Sequence, residues 1–216
     1  MLSKSCNPYA RNVSLGVYFN GTGLSAGVIP IESPDFIPSK SLSARFTPLK
    51  SGAEGTKQTL RRMKELAYLG ARTPQIWSLT RQLVSGKIKG FKDPCPVNHR
   101  TCEAERILKW VQTHIRWTPD TADVETVAMP VRTIEVGAGD CDDVSVLAAS
   151  MATSISLPVR FKAIAANKEY PNEFSHVYVQ FNVGGKWISA DPSIKSAPLG
   201  WEAPVYYKEM VLPIWE

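Results

Sequence analysis

Apolar side chains fall into two rhythms along this chain, separated by stretches with none. Between residues 56 and 115 the spacing is helical. Leu60, Met63 and Ala67 share one face of a segment that Thr56 can cap and that ends at Gly70. Thr73 and Pro74 make a second start, with Thr as N-cap and Pro at the first helical position. Ile76, Leu79 and Leu83 then repeat until Gly86. After a loop over residues 87–100, a third helix is predicted from Thr101. Ala104, Ile107, Leu108, Val111 and Ile115 form its stripe, and Glu103 and Glu105 complement the dipole of its first turn. Three amphipathic helices in a row are core scaffolding, and no chemistry is assigned to them.

The second rhythm is alternation. Residues 159–165 read as a strand. HVYVQFNV, from His176, puts His176, Tyr178 and Gln180 on one face and Val177, Val179 and Phe181 on the other. Gly184-Gly185 is a hairpin turn, and KWISAD is the returning strand. A two-residue turn sets Val183 opposite Lys186, Tyr178 opposite Asp191 and His176 opposite Ser193. His176 and Asp191 then share a face as diagonal neighbours, roughly 7–8 Å apart in the backbone, within reach of an imidazole–carboxylate hydrogen bond. A surface His beside a turn-forming Asp-Pro explains each residue singly but not their common face. Trp187 lies on that face too, facing the cleft or the core.

Two stretches have no rhythm. Residues 1–55 are rich in Ser, Gly, Pro and Asn, with short apolar pieces at 13–19 and 27–31, and read as an extended arm with one or two short strands. Residues 118–140, with Pro119, Pro130 and Gly137-Ala138-Gly139, read as irregular, a length of connection that tends to be functional. That connection leads into GDCDD and a new helix whose buried face is Val144, Leu147, Ala148, Met151 and Ile155. Cys141 falls in the first turn, where unpaired N–H groups and the dipole favour a thiolate. The same amides can stabilise an oxyanion on a bound carbonyl. Asp140, Asp142 and Asp143 complement the helix start but oppose thiol ionisation, so a nearby imidazolium is needed. A free cysteine is more often a small buried hydrophobe; its place among acidic residues at a helix start argues for a nucleophile. His176 then serves as its base and Asp191 as the group that orients the base.

Composition narrows the setting. Of 216 residues, 44% are hydrophobic and 21% charged, a globular balance with enough chain for one substantial core. No apolar run is long enough for a membrane span. Residues 1–19 lack the apolar core and cleavage site of a secretory leader, so no export signal is expected. Residues 1–100 carry 15 basic and 5 acidic side chains, residues 101–216 carry 10 and 15. The basic first half has no groove-reading motif, so nucleic acid is not the expected partner. Cys6, Cys95, Cys102 and Cys141 read as mainly free thiols in a reducing compartment. Cys95, His99 and Cys102 lack a fourth zinc ligand and paired short spacing. A metal held by Cys141, His176 and Asp191 is the weaker reading, so no metal and no cofactor are expected.

Taken together, GTKQTLRRMKEL, DVETVAMPVRTIEVGAGDCDD, FSHVYVQFNVGGKWISADPS and PLGWEAP resemble the transglutaminase-like cysteine protease superfamily, and more narrowly its phage and prophage members. The resemblance runs from about residue 55 to 204. It implies an α+β, papain-like/transglutaminase-like core in which a Cys-bearing helix packs on an antiparallel sheet, with preceding helices and an extended N-terminal arm. Its triad falls on Cys141, His176 and Asp191. Trp117 takes the place of the family's aromatic before the acidic loop, as a substrate-cleft or packing residue. The expected organisation is an arm over 1–55 and a domain over 56–216, divided into a helical part (56–116), a catalytic core (117–204) and a tail (205–216). The implied activity is a peptidase, amidase or acyl transferase acting on a protein or peptide substrate. The alternative is a virion structural or assembly protein that uses the fold for binding, its arm contacting particle proteins. Host cytoplasm or a phage virion is the expected location.

Overall fold

The computed structural model describes residues 15–21, 42–120 and 124–214. The order of elements is β1 (Leu15–Gly21), β2 (Leu42–Pro48), α1 (Gly52–Ala71), α2 (Pro74–Val84), α3 (Arg100–His114), β3 (Arg116–Trp117), β4 (Val124–Ala128), α4 (Pro130–Val136), β5 (Ala138–Gly139), α5 (Cys141–Ser154), β6 (Val159–Ala165), β7 (His176–Val183), β8 (Lys186–Ala190) and β9 (Lys208–Pro213).

Helix α5 is the hub. Every residue from Cys141 to Thr153 is buried, as expected of a helix surrounded on all sides. Helices α1 to α4 and strands β4, β5, β6 and β7 all pack against it. Its small residues make the close approach possible. A Cβ on Gly70 of α1 would sit 2.5 Å from Pro130 Cγ and 2.7 Å from Ser150 Oγ. Ser150 Oγ lies 3.0 Å from the Ala67 carbonyl of α1 and donates at 2.8 Å to Val146 of its own helix.

The antiparallel sheet runs β8-β7-β6-β9. Val159, Phe161, Ala163, Val177, Val179 and Phe181 join the main core with α5. On the opposite face, Ile164 and Tyr178 form a smaller cluster with Ala203, against which Trp201 and Tyr206 pack. The hairpin register is the expected one from Val183↔Lys186 to Val179↔Ala190, where the pairing ends, so the expected Tyr178–Asp191 and His176–Ser193 pairs are not formed. Gly184 and Gly185 have φ of +60° and +82°, the left-handed pair that a tight hairpin turn requires.

Several expectations need correction. Helix α1 starts four residues before Thr56, which bonds back to Gly52 O inside the helix. Residues 118–140 are not irregular throughout: they hold β4, α4 and β5. Pro130, placed in the irregular connection, occupies the first turn of α4. The tail over 205–216 contains β9, which pairs with β6 across Arg160↔Pro213 to Ala165↔Lys208. Of the arm, β1 pairs antiparallel with β2 and parallel with β4, making a sheet ordered β2-β1-β4. The apolar piece at 27–31 lies outside the described residues.

The cysteines were also misread as thiols. Cys95 and Cys102 form a disulfide with Cα atoms 5.7 Å apart, closing the loop that enters α3. His99 caps that helix, its Nδ1 accepting from Cys102 N at 3.1 Å. No described cysteine is a free thiol, and Cys141 is itself disulfide-bonded.

Candidate active site

Cys141 is the first residue of α5 and is 1% exposed. Asp140 caps the helix, its Oδ1 accepting from the amides of Asp142 (3.0 Å) and Asp143 (3.2 Å). Those two amides are therefore spent on the cap, which removes them as the expected oxyanion donors. Two short parallel strands set the approach to Cys141. Trp117 of β3 pairs with Gly139 of β5, two residues before the cysteine, and Thr118 N donates to Gly139 O at 2.9 Å. Trp117 is half-buried there. Gly139 has no room for a side chain: a Cβ would meet Asp143 Cβ at 2.6 Å.

Carboxyl groups crowd this end of the helix. Asp143 Oδ1 accepts from Ala128 N of β4 at 2.7 Å, and the Asp120 carboxylate accepts from Thr126 N and Oγ1. Asp142 hydrogen-bonds Glu125, and its Oδ1 lies 3.4 Å from Cys141 Sγ. Burial pushes Asp120 up to about 6 and Asp143 up to about 7. Burial, with Asp143 as a close like charge, raises Asp140 well above the usual carboxylate range. Burial and the neighbouring Glu125 do the same for Asp142. The sequence reading counted three full negative charges beside the thiol; burial disfavours the charged form of all three.

His176 opens β7, and Asp191 follows the last residue of β8. His176 Nε2 and Asp191 Oδ2 are 2.6 Å apart. Asp191 is wholly buried, and its other oxygen accepts from Ser193 N (2.9 Å) and Ser193 Oγ (2.6 Å). The shared face inferred from the hairpin is thus realised as a direct contact. Helix α5 meets this strand next to the histidine: Ser145 Oγ donates to Val177 O at 3.3 Å. Cys141 is one turn before Ser145 on the same helix face, and His176 is the neighbour of Val177.

Behind His176 the sheet carries a polar network. The Tyr178 ring lies 5.9 Å from the His176 ring, and Tyr178 OH donates to Glu202 Oε2 at 2.6 Å. Lys162 Nζ reaches Glu202 and Glu209, each at 3.1 Å. Hydrogen bonds from Ser189, Tyr178 and Lys162 outweigh partial desolvation and hold Glu202 below its ordinary value. Trp187 is half-buried, with the Arg160 guanidinium 4.4 Å from its ring centre. Sequence reasoning missed Glu202, Lys162 and Gln112. Gln112 left a signal, a polar residue four positions after Leu108 on a buried helix face.

Among the described residues no group of His, Cys, Asp and Glu is arranged to hold a metal ion, and no helix is long and apolar enough to cross a membrane.

A family model of the transglutaminase-like superfamily matches residues 89–192, a span that contains Trp117, Cys141, His176 and Asp191. A solved protein from Parabacteroides distasonis, described as a "putative protease", superposes with a TM-score of 0.50 at 10% identity. The match covers 95% of this chain and 39% of that one. A second, from Cytophaga hutchinsonii and described as a "putative cysteine protease", has a TM-score of 0.42 at 20% identity, covering 63% of this chain and 42% of the other. The chain thus spans about two-fifths of the length of either. No curated protein matches the sequence. The architecture, a Cys-bearing helix against an antiparallel sheet, is a transglutaminase-like, papain-like α+β fold.

Proposed function

We propose that the chain is a thiol hydrolase or acyl transferase acting on amide bonds of proteins or peptides, with Cys141 as nucleophile, His176 as base and Asp191 as orienter. The observation that carries this reading is the 2.6 Å contact of His176, on the strand that meets the Cys-bearing helix, with the buried carboxylate of Asp191. Nε2 is committed to Asp191, so proton exchange with the thiol falls to Nδ1. The chemistry requires Cys141 released from its disulfide. The thiolate attacks the carbonyl carbon, a C–S bond forms and the C–N bond breaks. His176 gives its proton to the departing amine, and the acyl group remains as a thioester. Water then yields an acid; a second amine yields a new amide. Burial and the neighbouring Glu125 disfavour the charged form of Asp142, whose Oδ1 lies 3.4 Å from the Cys141 sulfur, so less negative charge opposes the thiolate there. Trp117 lines the approach to the same atom.

The test is labelling of the reduced chain with a thiol-directed acyl electrophile. Rapid modification of Cys141, slowed strongly by His176→Ala, is the expected result, and equal rates in the two forms would sink the triad.

One observation favours a second reading: Cys141 is disulfide-bonded. In that form it is a staple, and the chain is a structural or assembly protein that keeps the fold for binding. The resemblance to phage and prophage sequences suggests a particle as its setting. Thiol titration of protein purified without reductant separates the two. A reactive Cys141 supports the enzyme, whereas a cysteine that stays oxidised in the working particle supports the staple.

A further inference from the structure

Gln112 lies on α3, and no hairpin or motif points to it. It is nevertheless 4% exposed. Its Nε2 donates to three main-chain carbonyls of one short segment: Asp191 at 3.1 Å, Ile194 at 2.8 Å and Ala197 at 2.8 Å. Carbonyl oxygens only accept, so three of them converging on one amide end fix its orientation; the reverse would set oxygen against oxygen. An NH2 group has two hydrogens, so one of them is shared between two acceptors.

The place where this happens is what matters. Sheet pairing ends at Val179↔Ala190, so the ladder does not hold the backbone of Asp191. The chain there turns on local bonds, Ser193 N to Asp191 Oδ1 at 2.9 Å and Ala197 N to Ile194 O at 3.0 Å. Gln112 ties that turn to the helical layer through the carbonyl of the carboxylate-bearing residue itself. We propose that Gln112 is a positioning residue for the triad, fixing the Asp191 main chain so that its carboxylate meets His176 Nε2. The proposal rests on the triad reading above. A displacement of about 1 Å at a supporting residue can cost up to about a hundredfold in rate.

The experiment uses the full chain reduced with dithiothreitol. Carbamidomethylation of Cys141 by iodoacetamide is followed by mass spectrometry of its peptide from pH 4 to 9, in wild type, Gln112→Met and His176→Ala. Met keeps the volume and removes the donors. The expected result for Gln112→Met is a folded chain by circular dichroism whose Cys141 rate at pH 6 falls about ten- to a hundredfold, toward that of His176→Ala. A wild-type profile in Gln112→Met, with only a lower melting temperature, overturns the positioning role while leaving the triad standing. A profile that His176→Ala does not change overturns the triad and this proposal with it. Should Gln112→Met not fold, the wild-type chain decides by NMR. The side-chain amide protons of Gln112 should shift as His176 titrates, and resonances indifferent to that titration overturn the proposal.

Discussion

The two halves of the candidate site are built on opposite principles. On the His–Asp side, each of the two Asp191 carboxylate oxygens has a partner at hydrogen-bond distance, and burial there rigidifies. On the cysteine side, five carboxyl groups (Asp120, Glu125, Asp140, Asp142 and Asp143) gather around one helix end and one short strand, with burial opposing the charge of the four aspartates. A paired, hydrogen-bonded charge holds a fixed geometry. Desolvated, mutually repelling carboxyls instead resist ionisation, and Asp120 and Asp143 keep their protons to about 6 and about 7. One half is ordered by hydrogen bonds; the other is shaped by desolvation.

The largest expected effect tests whether the ordered half matters to chemistry. In an assay of amide hydrolysis or transfer, His176→Ala should lower kcat/KM by about 10²–10⁴-fold, with the melting temperature little changed. A residual rate within a factor of about three of wild type would place the orientation elsewhere.

The second prediction separates the halves by pH. Asp143 carries its proton to about 7 in the folded chain against an ordinary 3.8, and Asp120 to about 6. The folded state therefore binds more protons than the unfolded one between roughly pH 4 and 7. This contribution to stability is fully present below about pH 4 and is lost as pH rises through about 7. For Asp143 alone the ceiling is about 4 kcal/mol, lowered by sharing among its neighbours. Denaturant titrations across this range should show stability falling with pH, and Asp143→Asn, which keeps an acceptor for Ala128 N, should flatten the slope. An unchanged slope would mean the carboxyls are as ordered as the other half.

Two smaller effects ask whether either half depends on its supports. Cys95→Ser opens a short loop remote from both and should cost about 2–3 kcal/mol of stability without altering the reactivity of reduced Cys141. Gly139→Ala forces a methyl against Asp143 and should cost about 1–3 kcal/mol, with the pH slope changing as Asp143 moves. Calorimetry on both variants checks the order.

The ordered half was also the legible half. HVYVQFNV alternates cleanly, Gly184-Gly185 admits one tight turn, and β6 and β7 occupy the residues the alternation indicates. The helix after Cys141 was equally plain, because a capping Asp precedes a run of small and apolar residues. The carboxyl cluster was not legible, since Asp120 and Glu125 reach it through β4, which pairs with a strand more than a hundred residues away. β9 escaped for a similar reason: KEMVLP has little alternation, ends in proline and is a strand only because β6 offers it an edge. The Cys95–Cys102 bond was missed because an ordinary globular composition suggested a reducing compartment, whereas seven residues of separation suffice to bring the two Cα atoms within bonding range. Gln112 was hidden by its helix, where one polar residue in a buried row looks like noise until the loop it holds is seen.

The glycine turn between β7 and β8 has a consequence for how such a site could arise and travel. His176 and Asp191 belong to one uninterrupted stretch of chain, and their meeting depends on its length as well as on the tether from α3. Adding or deleting a single residue at the tip would send the acid to the opposite side of the ribbon, while most changes of side chain would leave the pair together. The segment is thus a cassette, tolerant of drift in composition and intolerant of insertion, that needs a neighbouring strand and a helix to hold its turn.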